Sequence, residues 1–198
     1  MTTQTDSPSP NFQHRRIAVI RAAIDVFARF GYRKASMEEI AKSALVSRQG
    51  LYLNFSNKDD LFRAAVELAM QDQLSAAKAQ LTDASLPLDY RLAAAMTEWA
   101  GRYVEVMRPH ATELIETSLK LAGEAVGLYE KQFEDALILA INDANPTLTP
   151  RTDCTAPDIA QTLLATAKGL KHSCPSQEVF LQRITVATRL LCAGWLHA

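Results

Sequence analysis

Residues 36–55, SMEEIAKSALVSRQGLYLNF, read as two helices too short to stand alone, and this limits the possible fold more than any other stretch. Ser36 followed three residues later by Glu39 is a capping-box pattern, so a helix is expected to start at Met37. Met37, Ile40, Ala41 and Ala44 then make one apolar face at helical spacing. Leu45 and Val46 interrupt it, and Ser47 is a natural N-cap for the next helix. Leu51 and Phe55 carry the inward face of that second helix, leaving Gln49, Gly50, Tyr52, Leu53 and Asn54 around the remaining arc. About two turns of helix are not stable in water. Both pieces must therefore pack on a third, as the helices of a helix-turn-helix do when the second is presented to a major groove.

The third helix is expected over 12–30, where Ile17, Ile20, Ile24 and Phe27 fall at 3-4-3 spacing and Gly31 supplies a C-terminal stop. Residues 1–11, rich in Ser, Thr and Pro, are expected to be a disordered arm. Beyond the pair, Asn57 or Ser56 caps a helix from Lys58 to about Leu81, with Asp59 and Asp60 where the helix dipole favours acids. Lys58 stands against that preference, which points to a phosphate held by the lysine and the helix N-terminus together. Such a rod spans about 36 Å, enough to join a head to a body.

Further helices are expected over 88–107, 109–121, 128–144, 157–172 and 176–195, with a long loop at 145–157. No convincing strand pattern or internal repeat occurs. The expected fold is all-α: a disordered arm (1–11), an N-terminal three-helix bundle with the helix-turn-helix (12–57), and a long helix leading into an all-helical ligand-binding and dimerisation domain (58–198).

Charge divides the chain in the same place. Residues 11–63 hold ten Lys or Arg against five acids, whereas 64–198 hold eleven against sixteen. A basic head on an acidic body suits a DNA-binding unit joined to one that does not bind DNA.

The string VFARFGY, then ASMEEIAKSALVSRQGLYLNFSNKDDLF, resembles the DNA-binding domain of the TetR family of transcriptional regulators. The spacing of the Gly-Tyr, Ile-Ala, Val-Ser and Tyr-x-x-Phe pairs and of the lysine before Leu-Phe matches as a set, over about a quarter of the chain. Two positions depart from the family pattern: Leu45 replaces the usual turn glycine, and Gly50 replaces a common hydroxyl residue. A leucine forced to positive φ there would cost on the order of 1 kcal/mol. The resemblance supports Arg48, Gln49, Gly50, Tyr52, Leu53, Asn54 and Lys58 as the surface that meets double-stranded DNA. Arg48 and Gln49 suit guanine and adenine edges. Tyr52 and Asn54 suit a phosphate or base edge, and Ser36, Ser47 and Lys58 a phosphate. Tyr52 also fits as a packing residue.

The last two helices are apolar on two faces. Ile159, Leu163 and Leu170 line one, with Ala160, Leu164 and Ala167 beside them. Phe180, Ile184, Ala187, Leu191 and Gly194 line the other helix, with Val179, Val186 and Leu190 on its second face. Burial on two faces calls for the chain's own core and a symmetry mate, hence a homodimer joined in a four-helix bundle; an entirely intrachain core is the other reading. The resemblance implies the same dimer, an inverted-repeat operator, and a pocket in the body for an effector. Met96, Trp99, Tyr103 and Met107, at 3-4-4 spacing, suit the wall of a pocket for an apolar or aromatic small molecule, with His110, Glu113 and Tyr129 as its polar contacts. The same stripe would serve equally as plain core.

His14, His110, His172 and His197 are scattered, Cys154, Cys174 and Cys192 lack metal-type spacing, and no phosphate loop or nucleophile elbow occurs. No enzyme activity, metal or cofactor is expected. With no apolar run near the ~20 residues of a bilayer span and no secretory leader pattern, the expected location is the cytoplasm. The expectation is thus a cytoplasmic homodimeric repressor released by its ligand. The alternative is a helical dimerisation adaptor that does not touch DNA.

Overall fold

A computed structural model of the chain describes residues 10–144 and 154–196, and the side chains of 13–144 and 154–193. The described elements are all helical: α1 (Pro10–Lys34), α2 (Met37–Ser43), α3 (Arg48–Tyr52), α4 (Lys58–Leu81), α5 (Leu88–Met96), α6 (Val104–Met107), α7 (Ala111–Asp143), α8 (Ala156–Ser173) and α9 (Gln177–Leu196). A wider π-type turn at Thr97–Gly101 and a tight 3₁₀ turn at Arg108–His110 flank α6. None of these helices is long and apolar enough to cross a membrane. Of the expected arm, Pro10 and Asn11 belong to α1, and residues 1–9 lie outside the described ones.

Two apolar cores organise the chain. The head core gathers Val19, Ile20, Ala23, Val26 and Phe27 of α1, Met37, Ile40 and Ala41 of α2, Leu51 of α3 and Phe55 beyond it. The stripe on α1 thus differs from the expected one, since Ile17 is exposed and Ile24 only partly buried. Leu61, Phe62 and Ala65 of α4 and Leu114 of α7 complete this core. The body core takes Leu74, Ala77 and Leu81 from the far end of α4, then Leu92, Met96, Phe133, Leu137, Ile141, Leu163, Phe180 and Ile184 from the helices around it. One rod, α4, is therefore embedded in both cores.

Local signals explain the head. Ser36 Oγ accepts the Glu39 N–H at 3.2 Å and the Glu39 carboxylate accepts the Ser36 N–H at 2.9 Å, closing the capping box. Ser47 and Asn57 cap α3 and α4 in the same sense, each worth about 1 kcal/mol. At the end of α2, Leu45 adopts φ 55, its N–H reaching the Lys42 carbonyl while that of Val46 reaches Ala41. This is the Schellman closure of a helix, a place normally given to glycine. Gly31, at φ 76 and ψ 167, ends the regular part of α1. A Cβ there would lie 2.6 Å from Glu113 Oε2.

The body departs from its expected helix boundaries. The helix expected over 88–107 is broken after Met96, because Gly101 passes so close to α9 that a Cβ would meet the Phe180 ring at 2.9 Å. Conversely, the helices expected over 109–121 and 128–144 are one element, α7, bent at Ala122 (φ −135, ψ 25). Gly123 and Gly127 have open space where a Cβ would stand, and both lie within α7. A glycine costs a helix only about 1 kcal/mol, and burial of Leu114, Phe133 and Leu137 along α7 outweighs that.

Leu45 is 94% exposed, so trimming it sacrifices no packing. Leu45→Gly is expected to raise stability by up to about 1 kcal/mol through relief of the left-handed backbone. A urea unfolding midpoint that falls or stays put would contradict this.

Candidate nucleic-acid interface and body cavity

The interface is built outward from Leu51 and Phe55. Both are fully buried in the head core, each stabilising α3 by about 2 kcal/mol. With that face fixed, Arg48, Gln49, Tyr52 and Leu53 must point out. All four are exposed, Leu53 by 79%. The Arg48 guanidinium lies 5.8 Å from the Tyr52 ring centroid, so the two form one cationic, aromatic patch. Asn54 donates to the Gly50 carbonyl at 2.9 Å and closes the last turn, leaving its amide oxygen available. Ser47 Oγ accepts the Gly50 N–H at 3.0 Å, so this side chain and that of Ser36 are already committed to capping. Gly50, half-buried, would set a Cβ 3.2 Å from Ser47 Oγ. Arg15 and Arg16 are exposed at the start of α1, and Arg16 covers the Phe55 ring at 5.1 Å.

Lys58 is placed differently from expectation. Its ammonium donates to the carbonyls of Tyr32 (2.9 Å) and Ala35 (3.1 Å) and lies 4.4 Å from the Tyr32 ring centroid. The lysine therefore binds the end of α1 to the start of α2 rather than extending toward a duplex. Beside it, Tyr32 donates its hydroxyl to the Asp59 carboxylate. Desolvation and this carboxylate together push the phenol up to about 12.

Head and body meet at a seam just behind these groups. The Glu113 carboxylate accepts the Arg33 backbone N–H at 2.6 Å, with the guanidinium of the same residue 4.0 Å away. His110 and Glu113 both abut Gly31. Neither lines the body cavity, so both are corrected from ligand contacts to junction residues. Arg33, exposed at this seam, and Lys34 close α1.

The cavity holds about 600 Å³ and lies against both cores. Trp99, Tyr103 and Met107 line it as expected, with Trp99 stacked on Phe133 at 4.6 Å. Met96 does not, being wholly enclosed in the body core, and Tyr129 packs against that core as well. The π-type turn after Met96 is the reason: it rotates the later residues away from the face a regular helix would share. The wall missed by sequence reasoning comes from α1, α4, α7 and α8, including Phe27, Phe62, Met70, Leu119 and Lys171. Gln73, 8% exposed, also lines it, and its amide has no hydrogen-bond partner among the described residues. Its place on one helix face with Ala69, Met70 and Ala77 was the legible sign. Burial raises the Tyr103 phenol and lowers the Lys171 ammonium relative to their ordinary values.

The expected dimer surface is also corrected. Ile159, Leu163, Phe180 and Ile184 are buried within this chain's own core, and Leu170 and Leu191 pack against it. Ala187 is half-buried, and the side-chain region of Gly194 lies outside the described residues. The outward face of α9 instead presents Val186 and Leu190, the latter 70% exposed.

A short helix anchored by two apolar residues, capped by serine and offering Arg, Gln and Tyr to solvent defines a helix-turn-helix protein with an all-helical body. Residues 19–65 match the family described as bacterial regulatory proteins, tetR family. The head of the chain is thus of the tetR type. It is 31% identical to the HTH-type transcriptional regulator YfiR of Bacillus subtilis (strain 168) over 71 residues, which are 34% of this chain and 35% of that protein. The match thus spans about a third of that relative's length. Among solved structures, a TetR-family transcriptional regulator from Mesorhizobium loti superposes with a TM-score of 0.73 at 16% identity, over 93% of this chain and 98% of that one. GusR of Salmonella enterica gives 0.68 at 21% identity, over 98% and 100%. FadR of Bacillus subtilis, solved with stearoyl-CoA, gives 0.64 at 15% identity, over 90% and 98%. These likenesses establish the fold.

Tyr32 provides a test of the contact between the end of α1 and the start of α4. Its folded value is raised, so the stability it contributes is complete below its ordinary value of 10.0 and is lost as pH climbs toward about 12. The stability difference between the unmodified protein and Tyr32→Phe, read by urea unfolding, is expected to shrink across that interval. A difference constant with pH would contradict the assignment.

Proposed function

We propose that this chain is a homodimeric, cytoplasmic transcriptional repressor that grips an inverted-repeat operator and releases it when a small apolar or aromatic molecule enters the body cavity. The observation that carries the reading is the division of α3: Leu51 and Phe55 sealed inside the head, and Arg48, Gln49 and Tyr52 facing out. Arg48 and Gln49 read base edges from the start of the helix. Tyr52, Leu53 and Asn54 follow the sugar–phosphate wall, and the caps at Ser36 and Ser47 orient the two helices. Lys58 serves the operator indirectly, by fixing the α1–α2 turn.

Two copies associate through the outward side of α9, where Val186 and Leu190 lie exposed, and of α8 beside it. A twofold axis then sets two α3 helices into major grooves about one helical turn apart. Ligand reaches the head without a relay, because Phe27 of α1 and Phe62 of α4 belong to both the cavity wall and the head core. The stearoyl-CoA held by FadR supports a small-molecule role for a body of this fold.

Arg48→Ala and Tyr52→Ala are each expected to weaken binding to the DNA upstream of the protein's own gene by about 1–3 kcal/mol, measured by gel shift. Binding should also fall steeply with salt. Affinity unchanged in both variants would remove α3 as the contact surface. Leu190→Glu should give a monomer in sedimentation analysis and lose most operator affinity; a persistent dimer would move the interface elsewhere.

A further inference from the structure

The cavity is chemically lopsided, and that asymmetry bears on what it holds. Along α7 its wall is apolar at Leu114, Ile115 and Leu119, then charged at Glu130, Lys131 and Glu134. At a rise of 1.5 Å per residue, Leu119 and Glu130 stand about 17 Å apart along the helix, ignoring the bend between them. Across from the charged end, α8 contributes Gln161, Lys168, Lys171 and His172.

Pairing within this end is uneven. Lys131 is occupied by Asp135 at 2.9 Å and Glu134 at 3.5 Å, and Glu134 also accepts the Gln161 amide at 3.0 Å. Three charges are left: Glu130, Lys168 and Lys171, none in an ion pair with a described residue. Glu130 alone faces the two α8 ammonium groups, so the α8 side carries one more positive than negative charge, while the Lys131, Glu134 and Asp135 group carries one net negative charge. Lys171 lines this wall half-buried, where burial and the neighbouring Lys168 disfavour its charged form and Glu130 favours it. A cation partly removed from water and sharing one carboxylate with a second lysine is unfavourable, and a ligand anion is what offsets it. The buried Gln73 amide, without a hydrogen-bond partner among the described residues, gives the interior a second polar contact.

The geometry points to a singly charged apolar acid as the ligand: a carboxylate seated against Lys171 and Lys168, with its hydrocarbon part running toward Phe62, Met70 and Leu119. This rests on the cavity being the effector site, and it goes further by fixing the ligand's charge and direction. A carboxylate supplies the missing counter-ion, a neutral alcohol leaves the ammonium unpaired, and an amine adds a third cation to the same wall.

The test uses the full chain carrying Trp195→Phe, so that Trp99, in the cavity wall, is the remaining indole. Decanoate, decan-1-ol and decylamine are titrated below their aggregation limits while indole emission is followed. Decanoate is expected to bind about tenfold more tightly than decan-1-ol, with decylamine weakest. Lys171→Met should abolish the preference for the acid and leave the affinity for decan-1-ol within about twofold, since the alcohol makes no charge-assisted bond. Lys168→Met should reduce the preference in the same direction. If decan-1-ol or decylamine matches decanoate, or if the preference survives in both lysine variants, the acid assignment is overturned while the cavity stands as a binding site. If no probe alters Trp99 emission, both the acid assignment and the effector role of the cavity are overturned.

Discussion

Head and body are joined by shared hydrophobic burial. Leu61, Phe62 and Ala65 of α4 and Leu114 of α7 close the same core that holds α1, α2 and α3. Removing them from water is worth on the order of several kcal/mol. It also means that α3 and the body cannot reorganise independently. The Arg33–Glu113 hydrogen bond and the tight approach at Gly31 set the register of that junction, while the burial supplies its strength. The cavity follows from the same arrangement. It lies where the two cores part, between the lower half of α4 and the bend in α7, so some side chains that line it also support the head.

The head was legible in the sequence because its signals are short-range. A capping box, two further N-caps and a helix of 24 residues uninterrupted by glycine or proline appear where local chemistry placed them. Even the exception was readable, since a leucine in place of a turn glycine implied a left-handed residue, and Leu45 adopts φ 55. The body was less legible because its breaks answer distant contacts. The π-type turn beginning at Thr97 reflects the nearness of α9, and no local pattern announces that. Periodicity showed that α8 and α9 are apolar on two sides. It did not show which side faces inward, and the inward side holds Ile159, Leu163, Phe180 and Ile184.

The same distinction separates the site residues. Arg48, Gln49 and Tyr52 occupy the surface that their spacing relative to Leu51 implied. Lys58, chosen for its charge at a helix start, instead satisfies two carbonyls of the preceding turn. A lysine near a phosphate and a lysine bridging two carbonyls look alike in sequence, because both need only a cation at a helix N-terminus. The cavity wall is scattered over α1, α4, α7 and α8, so single-helix periodicity found only the part of it near Trp99.

The five residues of α3 carry a consequence of their own. So brief a segment has no rigidity to call upon, and it is only as firm as its mounting. In the proposed role, damage at the buried Ile40 or Phe27 would therefore register as emptied operators and not as altered sequence preference. The letters would be read correctly or not at all.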